Sequence, residues 1–118
     1  MPLNFQPGDF LVYQLESGFA LLRLLARDDT ENGPVWHVAA YEDLFFDVDN
    51  AEAAIQQGQL VVGHPHFALT NRAFESTQVA RIANIPLTEP EQSALFAWQN
   101  DPDRHVSDRS VRLLVGLR

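Results

Sequence analysis

Four histidines, His37, His64, His66 and His105, are the side chains best suited to chemistry near neutral pH, because an imidazole both titrates there and ligates metals. His64-Pro65-His66 has the spacing that sets two imidazoles on one face of an extended strand, as some metal sites require. Further ligands would have to come from Asp43, Asp47 or Glu75, and no spacing dictates that they do; a polar segment between strands accounts for the motif equally. The expectation is therefore of no tightly bound metal and no cofactor. His64 or His66 acting as a general base beside a carboxylate defines the alternative functional reading, a small enzyme.

The second group is acidic. Glu42, Asp43, Asp47, Asp49 and Glu52 lie close together, with Phe45 and Phe46 among them. Asp47-Val48-Asp49-Asn50 resembles the opening of a calcium loop, but Glu52 and Gly58 occupy the sixth and twelfth positions, where glycine and glutamate are needed, so an EF-hand is excluded. Two readings remain: a helix amino terminus whose dipole the carboxylates complement, or an anionic docking surface for a basic partner. Ser107-Asp108-Arg109-Ser110 and Thr70-Asn71-Arg72 juxtapose hydroxyls with Arg but lack the sharp turn of a nucleophilic serine, and are read as turns and caps. No Walker A loop or G-x-G-x-x-G is present, and no residue is assigned as catalytic. Trp36 and Trp98 are expected in the core; Tyr13, Phe45 and Phe46, near turns, are divided between core and interaction surface.

The elements that must position these groups follow from punctuation. Pro7-Gly8 precedes a strand over Asp9 to Glu16, Ser17-Gly18 turns the chain, and Phe19 to Ala26 returns as a second strand of a β-hairpin. After the turn cluster Asp28 to Pro34, Val35 to Glu42 completes a three-stranded meander, and Asp43 to Asp49 is expected to be irregular. Asp49 or Asn50 caps a short helix over Ala51 to Gln57, ended by Gly58. Leu60 to Gly63 is a brief strand broken by His64-Pro65-His66; Phe67 to Thr70 and Thr77 to Ile85 are further strands joined through Asn71 to Ser76. Thr88 and Glu91 form a capping box, with Pro90 tolerated in the first turn of a helix reaching Trp98. Val111, Leu113, Val115 and Leu117 alternate with Arg112, Leu114, Gly116 and Arg118, the pattern of a half-buried strand, for which truncation of Leu113 would cost about 2–5 kcal/mol. The expected fold is α+β: an antiparallel curled sheet or small, partly open barrel of five to seven strands with two helices.

With 118 residues, 46% of them hydrophobic and 20% charged, one core and one domain over residues 1–118 suffice. The absence of cysteine removes disulfides, thiolate ligation and a thiol nucleophile. Sixteen acidic residues oppose eight basic ones, all Arg, for a net charge of -8. That balance argues against nucleic acid, whose binding draws on cationic contacts to phosphate, and favours a basic protein partner, or simply keeps the surface soluble. Met1 to Gln14 lacks a basic segment followed by an apolar run, and no stretch is apolar enough to span a bilayer; the expectation is a cytoplasmic protein without membrane contact.

Phe5-Gln-Pro-Gly-Asp-Phe-Leu-Val-Tyr13, followed by Ser17-Gly18 and Phe19-Ala-Leu-Leu-Arg-Leu-Leu25, resembles the first hairpin of small immunity proteins from bacterial polymorphic toxin systems. The likeness covers about the first quarter of the chain, and Ser17-Gly18 stands where that family typically has an acidic residue with glycine. It implies inhibition of a toxin by stoichiometric binding, without catalysis or cofactor. The functional expectation is thus a non-enzymatic protein-binding domain using Glu42, Asp43, Phe45, Phe46, Asp47 and Asp49, with a homo-oligomeric assembly protein as a further alternative.

Overall fold

The computed structural model describes residues 4–115. Strand β1 (Asp9–Leu15) is followed by two long strands, β2 (Gly18–Thr30) and β3 (Gly33–Phe45). Helix α1 (Val48–Gln57), β4 (Val62–Thr70), α2 (Asn71–Thr77), β5 (Ala80–Asn84), α3 (Glu89–Gln99) and the short α4 (Val111–Leu114) complete the chain. The sheet is antiparallel throughout in the order β4-β3-β2-β1-β5; it is open, with β4 and β5 as its edges. Fold class agrees with the sequence expectation, and two short helices, α2 and α4, join the two expected ones.

Both broad faces of the sheet are covered. On one, Leu11, Tyr13, Leu22, Leu24, Trp36 and Val38 pack against Ala73 and Phe74 of α2 and Val111 of α4. On the other, Phe10, Val12, Leu21 and Tyr41 seat Ala51 and Ile55 of α1, and Leu25 and Ala39 meet Leu95 of α3. A strand buried on both faces needs no polar parity, which is why Phe19 to Ala26 is apolar almost without interruption yet extended. Gly18 at φ +145° opens β2 after the Glu16-Ser17 turn, and a Cβ there would collide with the Phe45 carbonyl oxygen. Gly58 at φ +66° ends α1 as expected.

Several elements differ from expectation. β3 continues through Asp43 to Phe45, and the α1 cap is Asp47, whose carboxylate accepts from Asn50 N–H at 2.8 Å, rather than Asp49 or Asn50. His64-Pro65-His66 does not interrupt the strand: β4 is an edge, where the missing proline N–H leaves no ladder bond unmade. Asn71 to Thr77 is helical, capped by the Thr70 hydroxyl, and the following strand shortens to Ala80–Asn84. Tyr13 is 2% exposed, a core residue, and burial pushes its phenol up to about 12 against the opposing Arg112.

The carboxy-terminal strand is overturned. Val111–Leu114 is a single helical turn whose Val111 enters the core beneath α2 while Leu113 is 70% exposed, so the cost foreseen for truncating Leu113 lapses. Gly116, Leu117 and Arg118 lie outside the described residues. The capping box is present as expected: Thr88 and Glu91 exchange side-chain and backbone hydrogen bonds at the start of α3.

Candidate functional site

The histidines of the sheet form a chain rather than the expected pair. His37, on β3 and fully buried, contacts Asp28 of β2 through Nε2 at 2.8 Å and His66 of β4 through Nδ1 at 2.9 Å. The two rings stack at 5.2 Å, and the Trp98 indole of α3 closes over both, 4.8 Å from His37 and 5.7 Å from His66. Trp98, expected in the core, is half-buried there, its Nε1 donating to the His105 carbonyl at 3.0 Å.

His64 does not join this group; its ring lies on Phe67 at 5.0 Å. The reason is a register shift in the β3–β4 pairing: Val38 faces Phe67 and Ala40 faces His64, so β4 carries an extra residue and the strict alternation needed to align His64 with His66 is lost. Among the described residues, no group of three or more His, Asp or Glu is arranged to hold a metal ion.

Sequence reasoning missed the Asp28–His37–His66 chain. Its one local signal was the β2–β3 hairpin: pairing Thr30 with Gly33 brings Asp28 opposite Val35 and His37 opposite Ala26, one diagonal step apart. Burial, and after it the neighbouring His37, pull the His66 imidazole from its ordinary 6.5 down to about 4. Because the folded value lies below the unfolded one, the unfolded chain takes up this proton first as pH falls. The His66 contribution to stability is therefore intact above about 6.5, erodes between 6.5 and 4, and is flat below 4. Denaturant unfolding at pH 7.5, 5.5 and 4 is expected to show wild type losing more stability than His66→Phe across that window; equal losses would refute the assignment.

The acidic residues make a ridge at the end of β3 and the start of α1. Glu42 and Asp49 are exposed, and Asp43 and Asp47 are half-buried at the surface, where each also has a structural task. Asp43 accepts from Val61 N–H at 2.7 Å, tying the approach to β4 onto β3, and Asp47 caps α1. Among the described residues none of Glu42, Asp43, Asp47, Asp49 and Glu52 is paired with a cation, and no Lys or Arg occurs between Arg27 and Arg72. The two aromatics divide: Phe45 is half-buried against the α1 cluster, whereas Phe46 is 88% exposed beside a 46% exposed Leu44. Leu44, Phe46, Ala53 and Ala54 line a shallow groove between β3 and α1.

Fold and site together define an α+β domain with an open antiparallel sheet, a histidine chain centred on the buried His37 under one helix, and beside another an acidic ridge that no cation among the described residues pairs. No protein-family model matches the chain, and neither a curated protein nor a solved structure matches it significantly. No helix of the described residues is long and apolar enough to cross a membrane.

Proposed function

We propose that this chain is a non-enzymatic protein-binding domain that docks a basic partner on the β3–α1 ridge, in the manner of an immunity protein that covers a bacterial toxin. The observation that carries the reading is Phe46, a large apolar side chain 88% exposed within carboxylates that no described cation neutralises. Specific interfaces combine an aromatic anchor with a polar rim, and an anionic rim speeds encounter with a cationic partner. The net charge of -8 extends the same field, and the likeness of the first hairpin to immunity proteins agrees with it.

The test uses the protein encoded beside this chain, where that neighbour ends in a toxin-like domain, and follows association at several salt concentrations. Asp43→Asn, Asp47→Asn and Asp49→Asn together remove charge while keeping the oxygen acceptors that the Val61 and Asn50 N–H groups need. This triple variant is expected to slow association about tenfold or more at low salt and to flatten its salt dependence, with an unchanged melting temperature. Phe46→Ala is expected to raise the dissociation rate about tenfold or more. Wild-type kinetics in both variants would refute the reading, and self-association abolished by Phe46→Ala without any basic partner would replace it with an assembly role.

A further inference from the structure

A cavity of about 300 Å³ opens beside the histidine chain, lined by His66 and Phe67 of β4, Trp98 of α3, His105, Ser107 and Leu114. It lies on a part of the molecule that the acidic ridge does not use. Among the described residues its lining holds no carboxylate and no guanidinium. At the lower end of the size range of ligand pockets, it suits a molecule of one or two rings.

The chain behind the cavity sets which nitrogen His66 offers. A carboxylate only accepts, so His37 Nε2–H donates to Asp28, and in the neutral ring His37 Nδ1 is left as a lone pair. That lone pair is met by His66 Nε2, which must then carry the His66 proton, and His66 Nδ1 is left as an acceptor. Nδ1 has no hydrogen-bond partner among the described residues, and no buried side-chain nitrogen there lacks one, so this atom is open to solvent.

We propose that this cavity binds a small, uncharged aromatic molecule carrying one N–H or O–H donor, its ring against Trp98 and Phe67 and its donor on His66 Nδ1. Asp28 and His37 act as positioning residues that fix the acceptor tautomer. A fixed acceptor beside aromatic walls discriminates against a ligand without a donor, since binding it would desolvate Nδ1 without a replacement bond. Among the described lining residues no guanidinium or ammonium is placed to pair with an anionic ring, which would lose its water with only the Arg104 guanidinium, 5.6 Å over the Trp98 ring, to offset the loss.

The experiment titrates the full chain with phenol, indole, toluene and benzoate, following the imidazole nitrogens of His66 and the indole N–H of Trp98 by NMR. Phenol or indole is expected to shift both signals saturably, with toluene and benzoate at least about tenfold weaker. His66→Phe, which keeps an aromatic ring, should remove the preference for phenol over toluene. Asp28→Ala should change the His66 nitrogen shifts from a single Nε2–H tautomer towards a mixture. Equal binding of toluene and phenol, or no saturable shift with either donor, overturns the proposal. The four-probe comparison is made on the wild-type chain and so does not depend on whether either variant folds.

Discussion

Truncating Trp36 to alanine is expected to destabilise the protein by about 3–5 kcal/mol, a large share of the roughly 5–15 kcal/mol of a whole domain. Trp36 is 1% exposed and joins three parts of the structure. Its ring stacks on Phe74 of α2 at 4.3 Å with planes 9° apart, the Arg27 guanidinium lies 5.1 Å above it, and its Nε1 donates to Asn71 Oδ1 at 2.9 Å. Alanine would empty the space between β3 and α2 and release the first residue of that helix. Trp36→Phe keeps the stack while losing the hydrogen bond and some volume, at about 1–2 kcal/mol. Equilibrium denaturation checks both; a loss below about 1 kcal/mol for the alanine variant would mean that α2 does not depend on this contact.

Arg23→Ala is expected to cost about as much, roughly 3–5 kcal/mol, for an electrostatic reason. Arg23 is 2% exposed in the middle of β2, where an unpaired guanidinium would be untenable. Its Nε and Nη2 grip the Glu91 carboxylate at 2.8 and 3.1 Å, Nη1 donates to the Gly8 carbonyl and Nη2 to that of Pro86 at 3.3 Å. Phe10 supports the guanidinium from below at 4.1 Å. One side chain thus binds the start of β1, the β5–α3 connection and the first turn of α3. Lysine should not rescue, because an ammonium lacks the fork that serves these acceptors together. Removing the charge from both sides, as Arg23→Met with Glu91→Gln, should recover much of the loss, since the isolated charge is what is costly.

The same pair sets part of the acid response. The Arg23 hydrogen bonds, ahead of the opposing burial and the Thr88 contacts, hold the Glu91 carboxyl below its ordinary 4.5. Its contribution is therefore present above the unfolded value and lost as pH falls through the lower folded one. An acid-side drop in stability that persists unchanged in Glu91→Gln would contradict this assignment.

Features settled among neighbouring residues were legible in the chain itself. The hairpin turn, the end of α1 at Gly58 and the capping box at Thr88 and Glu91 all rest on backbone conformations or orphan N–H groups satisfied within a few positions; the last two lie where the residues indicated, and the turn falls one residue earlier, at Glu16-Ser17. The α+β class followed from the order of such signals. The acidic, aromatic stretch at 42–52 was likewise visible, though not that Phe45 turns into the core while Phe46 stays out.

Everything else waited on the packed fold, because the deciding free energy comes from surfaces distant in sequence. Val111 to Val115 alternates like a strand, yet a run this short binds its backbone locally once Val111 finds space under α2, leaving Leu113 in solvent. Arg23 looks like a lone charge in an apolar run until α3 brings Glu91 to it. Asp28 and His37 are brought together by the β2–β3 hairpin, but His66 reaches them only because β4 joins the edge beside β3, and an extra residue in that pairing separates it from His64. Strand order and bulges are settled by which faces can be buried together, a cooperative quantity that no single stretch of chain contains.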